Sequence, residues 1–312
     1  MAPINRQRGR PRPVASLVPI LARRFLAELR PGDALPTVRA MAGQLHSSPS
    51  SIHAALGQLA EAGAIEFETR GRSGAFLVDR SLGRLWTMAE GGPLVIALPL
   101  ASSLRYEALA TAVKQILMRA GLDIFFIFAR GSRQRLQALH DGRCHLVAMS
   151  SFAASEVCGP HDRVVAELPS RSYNTGHRVF YTAGREGAVP LRVIVDRYSA
   201  DQQLLTALEF ADLDVTLVPA MASQIVRMLE SGQADAAVWT IDEMETRAPA
   251  GVLDRELSAT TRDRVGDRDT RAALVGMADD AAILGAATSV LDRDEVERIQ
   301  EDVLAGRMVA EY

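Results

Sequence analysis

Three short runs without a polar side chain, Leu94–Leu98 (LVIAL), Ile124–Phe128 (IFFIF) and Leu146–Met149 (LVAM), are separated by stretches of helix length. Apolar runs this short read as strands buried on both faces, and strands alternating with helices pair in parallel. With helices over about Tyr106–Ala120 and Arg133–His140, the order is strand–helix–strand–helix–strand, an α/β layer covered on both sides. Val164–Leu168 and Arg178–Thr182 follow as strands. A second series then begins: strand Leu191–Val195, helix about Asp201–Phe210, strand Val215–Val218, helix Ser223–Glu230 and strand Ala236–Trp239. A strand near Ala272–Met277 and helices after Ala281 return. The expectation is a two-lobed body over 94–312, lobe one about 94–183 plus 272–312 and lobe two about 190–265.

Ahead of the body lies a different kind of sequence. Between residues 1 and 85 stand twelve arginines, no lysine and six acids, although the whole chain carries a net charge of −3. A basic head on an acidic body points to a polyanionic partner for the head alone. Residues 1–13, MAPINRQRGRPRP, are too rich in Pro and Arg to pack a core and read as a disordered arm. Residues 14–80 form a unit of their own. Leu17, Ile20, Leu21, Phe25 and Leu29 share a helical face from Val14 to Leu29, and Thr37 caps a short helix, Val38–Leu45. Ser48 followed by Pro49 starts a third helix that Gly63 ends. Ile65–Glu68 and Ala75–Val78 alternate around a glycine-rich basic tip, which makes a hairpin. Residues 81–93, with Gly91-Gly92-Pro93 at the end, read as a linker.

A helix of this length fits the major groove, with its N-terminal residues at base edges and an arginine-tipped wing on neighbouring phosphates. The stretch PGDALPTVRAMAGQL–SSPSSIHAALGQLAEAGAI–RGRSGAFLV resembles the winged helix-turn-helix head of GntR-type bacterial repressors. The resemblance implies DNA contacts at Arg39, Ser48, Ser50, Ser51, His53, Arg70 and Arg72. Pro49 and His53 stand where the family often has arginine, which removes two guanine readers. In the arm, Arg8-Gly9-Arg10-Pro11 matches the core of an AT-hook, with Arg8 and Arg10 reaching into an A·T-rich minor groove. A plain basic tail that raises non-specific affinity is the equal alternative.

Ligands of such α/β bodies sit in the cleft beyond the carboxyl ends of the strands. Two lobes with a crossover and a return fit a type II periplasmic-binding-protein fold. The residues at those ends are Ser102, Ser103 and Tyr106; Arg130, Gly131 and Ser132; Ser150; Asp196, Arg197 and Ser199; and Trp239. Singly, each serine is an ordinary helix cap. Gathered with two arginines, they would hold a small anion such as a carboxylate or phosphate. The stretches ALPLASSLRYEAL, ARGSRQRLQALHDG, VDRYSADQQLL and ESGQADAAVWT resemble the effector domain of YhfZ-type regulators, so that, with the head, the likeness covers nearly the whole chain from Val14.

Cys144 with His140 and His145, and Cys158 with His161, do not supply four ligands at a zinc-like spacing, so no metal is expected. No Walker loop or Gly-x-Ser-x-Gly is present, so neither a catalytic residue nor a cofactor is expected. No apolar run reaches the ~20 residues that span a bilayer. The sequence therefore points to a cytoplasmic, dimeric regulator that binds operator DNA and a small anionic metabolite. An enzyme on the same fold and an architectural DNA-binding protein stay open.

Overall fold

Leu17, Leu21 and Phe25 repeat every four residues and are buried, which fixes Val14–Glu28 as the first helix, α1. The computed structural model describes residues 12–185, 188–247 and 250–312; Arg8 and Arg10, and with them the AT-hook match, lie outside the described residues. Two units are formed. The first runs to Leu94 and takes in Leu117–Asp123 and Asp280–Val290; the second holds Val95–Ile116, Ile124–Asp279 and Leu291–Tyr312.

In the first unit α1 is followed by α2 (Val38–Gln44) and α3 (Pro49–Glu61). Thr37 Oγ1 accepts the Ala40 N–H at 3.1 Å and Ser48 Oγ the Ser51 N–H at 3.0 Å, so both helices start where the capping residues stand. Strands β1 (Ile65–Thr69) and β2 (Ala75–Arg80) pair antiparallel from Ile65↔Arg80 to Thr69↔Ala75 and form the wing. Residues 82–88 fold as helix α4 (Leu82–Met88), with Leu85 and Trp86 buried.

The second unit is built on two five-stranded sheets. Its elements are β3 (Leu94–Leu98), α5 (Leu104–Arg119), β4 (Ile124–Phe128), α6 (Ser132–His140), β5 (Leu146–Ser150), α7 (Ser151–Val157), β6 (Asp162–Glu167), β7 (His177–Thr182), β8 (Leu191–Val195), α8 (Ala200–Glu209), β9 (Val215–Pro219), α9 (Ile225–Glu230), β10 (Ala236–Thr240), α10 (Ile241–Arg247), β11 (Val252–Glu256), α11 (Ala259–Val265) and β12 (Ala272–Met277). Helices α12 (Ala281–Val290) and α13 (Arg293–Leu304) complete the chain. The sheet orders are β4-β3-β5-β12-β6 and β11-β7-β10-β8-β9. In the second sheet burial splits with a period of two: Val193 and Val238 pack on one face, Ile194 and Trp239 on the other.

Four expectations change. The sheets are mixed rather than parallel: β3–β5, β8–β9 and β8–β10 run parallel, while β12 returns antiparallel to β5 and β6, and β7 is antiparallel to β10 and β11. An apolar run reports burial and is silent on direction. IFFIF is not buried on both faces, because β4 is an edge strand; Phe125 is 60% exposed. Strand β7 joins the second sheet, not the first. Helix α12, read as part of lobe one, packs on α1 within the first unit.

Candidate functional site

The first unit presents an exposed Arg39 at the start of α2, and Ser50 and His53 exposed on the first turns of α3. Ser51 is half-buried. Ser48 is committed to its own helix: besides the cap, its hydroxyl hydrogen-bonds those of Ser50 and Ser51 at 2.8 Å. At the wing, Arg70 is ion-paired to Glu68 and stands 4.6 Å over the Phe76 ring, so its guanidinium is held in place. Arg72 is exposed in the 3₁₀ turn Gly71–Ser73 at the tip. The surface thus offers three arginines and a short row of small polar side chains on one folded unit.

In the second unit, the residues that follow β3, β4, β8, β9 and β10 enclose one cavity of about 280 Å³. Ser102, Tyr106, Arg130, Gly131, Ser132, Asp196, Ser199 and Trp239 line it. Ser103 and Ser150 are buried but do not line it, and Arg197 belongs to a separate depression with Met221 and Gln224. The two lobes meet around the cavity. Gly131 has a φ of +74°, and a Cβ there would collide with the Tyr198 carbonyl oxygen, so only glycine lets the chains approach so closely. Ser132 Oγ accepts the Ala200 N–H at 3.1 Å, and Ser150 donates to Asp201.

Several of the groups expected to receive an external anion are already engaged internally. The Asp196 carboxylate accepts the Tyr198 N–H at 3.0 Å, the Ala222 N–H at 3.2 Å and Arg130 at 3.4 Å. Arg130 also stacks on the Tyr198 ring, 5.2 Å from its centroid.

Arg135, His177, Asp201 and Glu243 also line the cavity, and none is among the candidates drawn from the sequence. Arg135 is 2% exposed and donates to the Ala148 carbonyl at 2.8 Å, the Ala129 carbonyl at 2.7 Å and the Tyr173 hydroxyl at 2.9 Å. Tyr173 packs edge-to-face on Tyr106 at 5.2 Å. Burial opposes charge on His177, but Asp269, 2.7 Å from Nδ1, outweighs it and raises the imidazole pKa. Burial also lifts the carboxyls of Asp201 and Glu243 above their usual range, against the pull of His177 and Ser150 on Asp201 and of the Trp239 indole N–H, 3.2 Å away, on Glu243. A signal for Arg135 existed. It stands three residues after Ser132 and four before Leu139, on the inward face of α6.

Among the described residues no three His, Cys, Asp or Glu side chains gather as a metal site. Burial pushes the Cys144 and Cys158 thiols up to about 11, so at neutral pH neither is the thiolate that electrophiles need. Iodoacetamide at pH 7.5 is expected to leave both unlabelled in native protein and to label both in urea, as read by intact mass. No described helix is long and apolar enough to cross a membrane.

Comparison with known proteins places both parts. Residues 21–77 match the model for bacterial regulatory proteins of the gntR family, and residues 82–312 match the YhfZ C-terminal domain. The chain is 28% identical over 297 residues to "Uncharacterized protein YhfZ" of Escherichia coli (strain K12), covering 95% of this chain and 96% of that one. The crystal structure of YhfZ from Shigella flexneri superposes with a TM-score of 0.63 at 25% identity, over 74% of this chain and 98% of that one. A periplasmic substrate-binding protein of an ABC transporter from Coxiella burnetii reaches 0.45 at 17% identity, over 68% of this chain and 97% of that one. A gntR-type DNA-binding head followed by a YhfZ C-terminal domain over most of its length makes this chain a member of the YhfZ family of DNA-binding regulators.

Proposed function

We propose that the affinity of this regulator for its operator is set by a small metabolite held in the cleft, with an anionic group facing Arg135 and Arg247, and that it acts as a homodimer on a pseudo-palindromic site. The observation that carries the reading is Arg135. It is a buried cation in the cavity wall, within the field of Asp201, and among the described residues no carboxylate is in ion-pair contact with it. A protein that keeps an unpaired charge in a walled cavity leaves room for a ligand of opposite sign. The head supplies the output, through Arg39 and the start of α3 at base edges and Arg72 on the backbone. Differential binding of the ligand to two arrangements of the lobes would shift operator affinity by about 5- to 150-fold, the usual range of coupling.

The test is fluorescence anisotropy of full-length protein on labelled DNA from upstream of its own gene, with random competitor and at two salt concentrations. Parent protein is expected to hold its site against competitor. Arg39→Ala is expected to lose roughly tenfold or more in affinity for that site. Arg72→Ala is expected to weaken all sequences alike and lower the salt slope by about one. Parent binding that vanishes with competitor would sink the operator-specific reading.

A further inference from the structure

We propose that the ligand of this cleft carries a protonated amine, seated against Asp201 and Glu243, so that the effector is a zwitterion rather than a simple anion. The inference rests on the reading of the cleft as a metabolite site and names the class of metabolite.

Asp201 and Glu243 line the same cavity, and each is more than nine-tenths buried. Among the described residues neither has an ion-pair partner. Asp201 takes a hydrogen bond from the Ser150 hydroxyl, and Glu243 takes them from the Trp239 indole and the Ser102 hydroxyl. All three donors are neutral. Asp201 stands on α8 and Glu243 on α10, two helices that both pack against β10. His177 is itself committed to Asp269.

A second observation points the same way. Thr240 lines this cavity and is 6% exposed, yet its side-chain oxygen has no hydrogen-bond partner. Buried hydroxyls are nearly always satisfied, so an orphan in a ligand cavity marks a missing group. Arg135 and His177 act on Asp201, and Arg247 and His177 on Glu243, but among the described residues no charged donor is in ion-pair contact with either carboxyl. An ammonium has three N–H donors and no acceptor, which matches two carboxylates and a hydroxyl oxygen. The rings of Tyr106, Tyr173 and Trp239 also line the cavity, and aromatic faces favour a cation over an anion. Burial drives both carboxyls toward their neutral forms, and a bound ammonium would draw them back to the charged form. With arginines among the other lining residues, both ends of an amino acid or an aminoalkyl phosphate are answered.

The experiment uses full-length protein, thermal-shift screening and calorimetry with three matched sets of probes: α- and ω-amino acids with aminoalkyl phosphates, the same acids without the amine, and the same amines without the acid. Only the first set is expected to raise the melting temperature. Glu243→Gln and Asp201→Asn are expected to weaken the best probe by about 30- to 100-fold, the loss of a charged hydrogen bond. Neither is expected to lower the melting temperature of the free protein, since each removes a buried charge. If Asp201→Asn does not fold, Glu243→Gln carries the test together with Thr240→Val. Amine-free acids that bind as tightly, and that keep their affinity in these variants, would overturn the amine and leave the metabolite reading standing. A divalent cation alone producing the shift would also overturn it. Failure of every probe in all three sets would remove both.

Discussion

Arg135→Ala is expected to lower the free energy of unfolding by roughly 3–5 kcal/mol, and Arg135→Met by about half as much. The guanidinium sits where a truncation cannot be rehydrated. It joins the carbonyl of Ala148 in β5 to that of Ala129 just after β4, and from there reaches the Tyr173 hydroxyl. Removing it strips three acceptors of their donor, each costing about 1–3 kcal/mol if it stays dry, and opens a cavity in the wall. Relief of the buried charge works in the opposite direction and keeps the sum from being larger. Methionine restores most of the volume but none of the donors, which is why the two variants separate. Chemical denaturation of both proteins measures the difference. Equal stability of parent and Arg135→Ala would mean that the arginine does not hold the cleft together. Tyr173 is expected to lose its orientation against Tyr106, so ligand affinity falls even in the fraction that folds.

The contrast between Arg135 and the head shows where sequence reasoning carries and where it stops. Thr37, Ser48 and Pro49 act on backbone groups within four residues, so helices α2 and α3 are legible from local order alone. LVIAL and LVAM become buried central strands as their composition demands, because nothing about the rest of the fold has to be known. IFFIF has the same composition but ends at an edge, and only the strand order decides that. Asp201 lies in the first turn of α8, where an acid reads as ordinary helix-dipole complementation. In the fold it is buried and bonded to Ser150 of the other lobe, fifty-one positions away. Glu243 likewise reads as a first-turn acid of α10, while the fold buries it in the cavity wall beside the Trp239 indole. The hydroxyls and Arg130 were found because they follow strands. Arg135, Asp201 and Glu243 stand on helices, where a rule about strand ends does not reach, and His177 opens strand β7.

Gly285→Val is expected to destabilise the first unit by roughly 2–4 kcal/mol and to abolish the response of the head to ligand. Gly285 lies in α12, a helix of small residues (AAILGAATSV) that packs on α1. A Cβ at this position would strike the Leu26 carbonyl oxygen and stand 2.8 Å from the Ala27 Cα, both backbone atoms that no side-chain rotation can move aside. Arg80 seals the same contact, donating to the Phe25 carbonyl at 2.5 Å and the Ser289 hydroxyl at 2.6 Å. Alanine gives the sign test. Helix propensity alone makes Gly285→Ala stabilising by about 1 kcal/mol, whereas the collision makes it destabilising. The backbone contact is expected to win, so thermal unfolding of Gly285→Ala falls below parent. The consequence for regulation follows from the chain path. His177 of the cleft is bound to Asp269, three residues before β12 begins, and only Ala278–Asp280 separate β12 from α12. A change at the cleft wall therefore has a short covalent route to a helix built into the DNA-binding unit. In Gly285→Ala, calorimetry is expected to show parent ligand affinity, while the ligand no longer changes operator affinity by anisotropy. A stable Gly285→Ala protein with its ligand response intact would exclude α12 from that route.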